Sequence, residues 1–424
     1  MLMKSLNSAP RKQFQRSKFP FMEEWKEYKL GDVCKMIPGF AFKSNEFGKG
    51  SNVAIKIKDI QPPYVETKGA DNVDISRYDL DKLSKFIVHK GEFLLAMTGA
   101  TIGKIGKYID ERPAYINQRV LKFQDTGFIS YDYLYYYLST NIFQSFILNH
   151  IDSQSAQPNI SSNTIGKYPI KVPSFNTQQK IASILKSLDD KIEVNRRINE
   201  NLEQQAQALF KSWFVDFEPF KDQPFVESEL GMIPQGWSID NIYKYVDVIY
   251  GAPYKSSLFN EKKEGLPLIR IRDLKTNSPQ VYTSETLPTT EYIEAGDIVA
   301  GMDAEFVPCV WLGERGVLNQ RCCKFKAKDP SISNYYILFL LKPELEYVQS
   351  YKTGTTVSHL GKSDIDRFRF ITPPIDVIIP FSRRVDALLK EKVAIAQESR
   401  CLAELRDTLL PRLMSGELKV NDVI

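Results

Sequence analysis

Histidine and cysteine are scarce in this chain of 424 residues, which carries three of the one (His89, His150, His359) and five of the other. No two cysteines stand in a CxxC spacing and no Cys/His group has the spacing of metal ligands, which excludes the common zinc and dithiol centres. The histidines are scattered, with no Ser or Cys nucleophile at an informative distance, so no catalytic triad can be drawn. No apolar run approaches the roughly eighteen residues needed to cross a bilayer, and no signal-peptide pattern is visible. A reduced, cytoplasmic setting without a membrane is therefore expected. A strong charge bias is missing as well. The formal net charge is +4, but residues 1–21 contribute five cations (Lys4, Arg11, Lys12, Arg16, Lys18) and no acid, which leaves −1 for the rest. A nucleic-acid surface on this chain must consist of local patches on a nearly neutral body.

Cofactor loops are also lacking. GATIGK (Gly99 to Lys104) has three residues between its glycines where a phosphate-cradling loop has four, and Ile105 stands where that loop places a hydroxyl for the metal. QPPY (Gln61 to Tyr64) has the form of the motif with which adenine methyltransferases grip their target amine. No Gly-rich cofactor turn accompanies it, so it reads as a Pro-rich turn. The expectation is a binder with no catalytic residue, no metal and no cofactor of its own.

What the chain does have is periodicity. From Thr177 to Trp213 the positions Ile181, Leu185, Leu188, Ile192, Asn195, Asn199, Leu202, Ala206, Leu209 and Trp213 recur at alternating steps of four and three, the seam of a coiled coil with two polar members. No Pro or Gly interrupts it, Thr177 is a candidate cap, and the rod would be about 55 Å long at about 1.5 Å per residue. The stepping returns 200 residues later at Phe381, Val385, Leu388, Lys392, Ile395, Ser399, Leu402, Arg406, Leu409 and Leu413.

The rods belong to a repeat of the whole chain. GFAFKSNEF (Gly39 to Phe47) returns as GAPYKSSLF (Gly251 to Phe259), and IKIKDI (Ile55 to Ile60) as IRIRDL (Ile269 to Leu274). GEFLLAMTGA (Gly91 to Ala100) returns as GDIVAGMDAE, INQRVLKF (Ile116 to Phe123) as LNQRCCKF, and IGKYPIKVP (Ile165 to Pro173) as IDRFRFITP. The expected organisation is a disordered leader (1–21, with Met1 and Met22 both candidate starts), a first domain (22–176), a central helix (177–215) and a linker (216–236). A second domain (237–376), a distal helix (377–416) and a tail (417–424) follow. Each domain reads as short β-type runs with one helix, at Asp132 to Ile151 and at Asn334 to Tyr351. The fold class is α+β: two repeated mixed α/β domains joined by two long antiparallel coiled-coil helices with pseudo-two-fold symmetry.

Repeated polar positions look like recognition chemistry. Lys43-Ser44 and Lys255-Ser256 put a cation and a hydroxyl on one loop behind an aromatic. The alternation of IKIKDI and IRIRDL suggests strands with Lys56, Lys58, Arg270 and Arg272 on one face, either solvated or touching phosphate. Asn117-Gln118-Arg119 and Asn319-Gln320-Arg321 carry amide and guanidinium groups of the kind that bond to base edges, though a motif kept in both halves fits a shared scaffold or backbone role better. Sequence discrimination is expected where the halves differ: Thr98, Thr101 and Lys104 against Asp303, and Gln154 and Asn159 against Thr355 and His359.

Taken together, GFAFKS, AMTGATIGKIG, NQR, PNISSNTIGKYPIKVPS, the phrase from Thr177 through WFVDFEP, and LLPRLMSGEL resemble the specificity subunit of type I restriction-modification systems over nearly all of Glu24 to Leu418. The resemblance implies a non-catalytic subunit whose two target-recognition domains each bind one half of a bipartite site in double-stranded DNA. It further implies that the helices set the spacing and hold two methyltransferase subunits, that ATP-dependent motor-nuclease subunits join them, and that S-adenosylmethionine, ATP and Mg²⁺ belong to those partners. The run of aromatics Trp213, Phe214 and Phe217 is the candidate docking site, the alternative being that Trp213 and Phe214 pack the domain junction. The second half departs from the family's form at Gly301 to Val307, which lacks the glycine-rich loop, and at Val357 to Leu360, where VSHL replaces QPNI. The other readings are a stand-alone DNA methylase, for which a cofactor site is lacking, and a coiled-coil scaffold without DNA, which leaves the paired loops unexplained.

A two-fold between repeats offset by 200 makes facing rod positions sum to 594. Ile192 then meets Leu402, Leu185 meets Leu409, Leu209 meets Val385, Ile181 meets Leu413, and Asn195 meets Ser399 as a polar pair that fixes register. Lys392 opposite Leu202 and Arg406 opposite Leu188 are expected to lay their stems along the seam and reach outward with their charges.

Overall fold

A computed structural model describes residues 25–151, 158–352 and 359–422. The leader, Gln154 and Thr355 lie outside the described residues. The chain divides into two compact units: one runs to Ser187 and resumes at Arg406, and the other spans Leu188–Leu405. The division cuts through both long helices, so each unit contains one domain together with the start of one helix and the end of the other.

In the first unit the strands Lys35–Pro38, Val120–Gln124, Phe93–Ala96, Ile105–Tyr108, Tyr64–Val65 and Ile60–Gln61 lie side by side in that order. A second sheet runs Asp71–Val73, Phe47–Ile55, Ala114–Ile116, Ile87–Val88. The second unit repeats the pair with a four-stranded sheet (Val246–Tyr250, Cys322–Ala327, Ile298–Gly301, Cys309–Val310) and a five-stranded one (Phe259–Asn260, Tyr282–Thr283, Leu266–Ile269, Gly316–Leu318, Tyr292–Ile293). Parallel pairing of Ile55 with Ile116 in one unit matches that of Ile269 with Leu318 in the other. Each domain is closed by an antiparallel pair in which its first strand meets the strand before its long helix: Lys26–Lys29 on Pro169–Val172, and Ser238–Asp240 on Phe370–Thr372. The sequence repeat is thus a repeat of architecture.

Several local expectations are corrected. The helix expected over 132–151 is two helices, Tyr131–Leu138 and Asn141–Asn149. Thr140 restarts it, its hydroxyl accepting from the Phe143 N–H as a cap. The second domain keeps one helix, Asn334–Lys352, across Pro343. IKIKDI is not a strand throughout. The strand stops at Ile55 and Ile57–Asp59 turns helically because the Asp59 carboxylate takes the Lys56 N–H at 2.7 Å; Asp273 does the same for Arg270, opening the turn Ile271–Leu274. Local Asp capping outcompetes the alternating pattern. Residues 216–236 contain a hairpin, Phe225–Ser228 with Gly231–Pro234, and bury Phe220 against Trp237.

The first rod runs Phe175–Phe214 and the second Ile375–Ser415. Ser174, not Thr177, caps the first, its hydroxyl accepting the Thr177 N–H. Every seam position in both rods is buried or half-buried, so the heptad pattern reports packing faithfully. In the first unit Ile181 and Leu185 share a core with Leu409 and Leu413; in the second Leu209 and Trp213 share one with Phe381 and Val385. The start of each helix therefore packs with the end of the other, and the pair is antiparallel. The register is fixed at Asn195, fully buried, whose amide nitrogen lies 3.2 Å from Ser399 Oγ and 2.7 Å from Glu398 Oε2. Lys392 departs from expectation. Its amine does not reach outward but is buried in an ion pair with Glu203 on the facing rod.

Candidate nucleic-acid interface

The backbone around the NQR turn is built alike in the two domains, and the reason is steric. A Cβ on Gly39 would lie 2.2 Å from the Asn117 carbonyl oxygen, and one on Gly251 would lie 2.1 Å from that of Asn319. Only glycine lets the backbone of GFAFKS and GAPYKS pass this close, and the bridges Phe40 to Asn117 and Ala252 to Asn319 record the contact. Asn117 then uses its side-chain oxygen to accept the Gln118 N–H at 2.8 Å, and Asn319 accepts from Arg321 at 3.2 Å. The asparagines hold the turn. Gln118, Arg119, Gln320 and Arg321 stand exposed.

Beside the turn, the loop after the central strand is clamped from two sides. In the first domain the Met97 N–H reaches the Arg119 carbonyl at 3.0 Å, Thr98 bridges Asn159, and the Ile160 N–H returns to Met97 at 3.0 Å. In the second domain Met302 reaches Arg321 at 2.8 Å, Asp303 bridges His359, and Leu360 returns to Met302 at 2.7 Å. Segments distant in sequence thus converge on one surface per domain. The geometry brings together the halves' differing residues: Thr98 with Asn159, and Asp303 with His359. Thr98 is buried, whereas Asp303 is half-buried and its carboxylate meets Arg321 at 2.9 Å and His359 Nδ1 at 2.7 Å.

The remaining candidates divide into presented and neutralised groups. Lys43, Ser44, Lys255 and Ser256 are exposed on the loops that open short 3₁₀ turns, with the Lys43 N–H held by Glu46 and the Lys255 N–H by Glu285. The Tyr78 hydroxyl, bonded to Glu46, keeps that carboxyl below its usual range. Lys104 and Arg272 are exposed, and Thr101 reaches the Ile57 carbonyl only at 3.4 Å. Lys56 and Lys58 both turn to Asp71, at 2.9 and 3.2 Å, and Lys56 also lies over the Phe47 ring. Their hydrogen bonds hold the Asp71 carboxyl low. Arg270 is tied to the buried Asp273 at 3.1 Å. Three of the four cations assigned to a common face are therefore charge-paired. Asp71, the acid responsible in the first domain, has no repeat mark that would have singled it out.

Trp213, Phe214 and Phe217 do not form an exposed docking patch. Phe214 is buried, and Trp213 and Phe217 are half-buried against the core of the second unit, where their rings meet Phe381, Tyr336, Phe220 and Trp237. Seven aromatics packed in one cluster give more by mutual burial than by exposure. No group of three or more potential metal ligands occurs among the described residues.

Comparison with known proteins decides the family. The profile for the type I restriction modification DNA specificity domain matches residues 22–204 and 246–392, one stretch per repeat. This chain belongs to that family. Among its relatives, the type I restriction enzyme MjaIX specificity subunit of Methanocaldococcus jannaschii is 29% identical, with 96% of this chain and 99% of that protein aligned. The HindI specificity subunit of Haemophilus influenzae is 24% identical over 94% of this chain and all of that protein. The S subunit of a type I system from M. genitalium has the same fold, with TM-score 0.51 at 13% identity over 93% and 97% of the two chains. The chain is thus a specificity component, not a catalytic one, and its two repeated domains with two long helices are the fold of that family. No described helix is long and apolar enough to cross a membrane.

Proposed function

We propose that each domain reads one half of a bipartite site in double-stranded DNA, and that the antiparallel rods hold the two readers at a set separation, leaving a fixed unread gap. One observation carries this reading. Both domains build the same clamped surface, with exposed Gln and Arg at its rim, and differ at the residues the clamp brings together. In this reading the exposed Gln118, Arg119, Gln320, Arg321, Lys43, Ser44, Lys255, Ser256, Lys104 and Arg272 meet bases or phosphates. Paired as they are, Lys56, Lys58 and Arg270 shape the surface instead of contacting the backbone. The rods dock two methyltransferase subunits, joined by motor-nuclease subunits that bring S-adenosylmethionine, ATP and Mg²⁺; this chain holds none of these. With the aromatics at Trp213 in the core, the exposed apolar residues Val194 and Ile198, one turn apart on the first rod, are the better docking candidates. The work is done in the cytoplasm, where DNA and partners are found.

The test is to assemble the chain with its methyltransferase partners and map methylated adenines. An added heptad in each rod should lengthen the gap, at about 10 Å of rod per seven residues, and leave both half-sequences as they were. Methylation by the isolated chain would instead favour a stand-alone methylase, and a complex indifferent to DNA would favour a scaffold.

A further inference from the structure

We infer that Asp303 is a positioning residue that aims Arg321 at a guanine in the half-site read by the second domain, a device absent from the first domain. The inference rests on the reading above, that this surface meets DNA. The two clamps are equivalent in backbone and opposite in chemistry. Where the first domain buries the neutral Thr98, the second places a carboxylate beside Arg321. Each Asp303 oxygen is engaged: Oδ2 by the Arg321 guanidinium at 2.9 Å, Oδ1 by His359 Nδ1 at 2.7 Å. His359 is in turn fixed from behind, its carbonyl accepting from the Lys352 amine at 2.8 Å, and that amine is anchored on Asp364 at 2.6 Å. The carboxylate therefore has little freedom, and neither has the guanidinium it grips.

An arginine held through one nitrogen keeps its remaining N–H edge for a second partner, and the Arg321 side chain remains 58% exposed. A planar donor fork of fixed direction suits the paired O6 and N7 acceptors of guanine, the commonest specific arginine contact in the major groove. A phosphate makes no such demand. An arginine whose charge is already met by a carboxylate is a poor choice for phosphate and a good one for a base edge. Among the described residues Arg119 has no carboxylate partner that fixes its direction. The first domain's equivalent position thus favours backbone contact.

The experiment uses the assembled complex with its methyltransferase partners. Duplexes carrying its own site, located by mapping methylated adenines, are altered at each base pair in turn, and affinity is measured at several salt concentrations. Wild type is expected to discriminate at one G·C pair of the second half-site by about ten- to a hundredfold. Asp303→Asn and Asp303→Thr should reduce that ratio to within about threefold, leaving every other position and the whole first half-site unchanged. Arg321→Ala should lose the same position with an unchanged salt slope. Arg119→Ala should weaken binding on all sequences and reduce the slope by about one phosphate contact. Unaltered discrimination in Asp303→Asn, an equal loss on every sequence, or a reduced slope in Arg321→Ala would overturn the assignment. The intact first half-site reports that the variants are folded. A wild-type complex with no specific DNA binding would instead overturn the reading on which it rests.

Discussion

The two domains share a frame and differ at its rim, and the division of labour is instructive. Gly39 against Asn117 and Gly251 against Asn319 set the frame, each by a backbone contact that admits no side chain. Thr98 with Asn159 and Asp303 with His359 occupy one place in that frame with unlike chemistry. The joints between domain and rod show the same pattern. The Ser130 N–H is held at 2.8 Å by Gln178 in the first unit, and the Ser333 N–H at 2.9 Å by Ser382 in the second. What is repeated is the backbone group to be satisfied; the side chain that satisfies it is not.

The rods test the comparison most sharply. Leu185 is fully buried beside the partly buried Leu409, and Leu209, the counterpart of Leu409, is likewise only partly buried, beside the buried Val385. Leu185→Ala should cost about 3 to 4 kcal/mol and Leu209→Ala less than half of that, read from denaturant unfolding of the full chain. Equal losses would mean that the two ends of the first rod are packed alike. Next come the glycines. Gly39→Ala and Gly251→Ala should each cost about 2 to 3 kcal/mol, because the new methyl group meets a backbone carbonyl that cannot yield. A loss in one domain alone would show that the frames are not equivalent.

Much of this was legible in the sequence. The rods announced themselves through a seam with no exposed member, and the repeat through phrases such as NQR that hold backbone turns. The register followed from the offset of 200, and Asn195 meets Ser399 as that arithmetic requires. Three things were not legible, each for a physical reason. Capping by Asp59 and Asp273 converted an alternating strand pattern into helical turns. The charges of Lys56 and Lys58 were met by Asp71, and that of Lys392 by Glu203, acids distant in sequence that only the fold brings near. The Trp213 aromatics, whose pattern fits an exposed anchor as well as junction packing, lie in and against the core.

A smaller effect separates the rods by acid. The Arg196 guanidinium bonded to Glu193, with Arg197 beside it, outweighs partial burial and holds the Glu193 carboxyl at about 2. The second rod has Val393 at the equivalent position. Because the folded value lies below the ordinary 4.5, the stabilisation is complete above about 4.5 and is lost as pH falls toward 2. Between those limits the melting midpoint of wild type should fall more steeply than that of Glu193→Gln. Parallel curves would mean that the pair contributes nothing on the rod surface.

The most direct test of two independent readers on a fixed rod is to replace residues 22–176 by the corresponding domain of a relative and map methylated adenines made by the assembled complex. The account predicts that one half of the recognised sequence changes while the other half and the gap stay as they were. A change in both halves would contradict it.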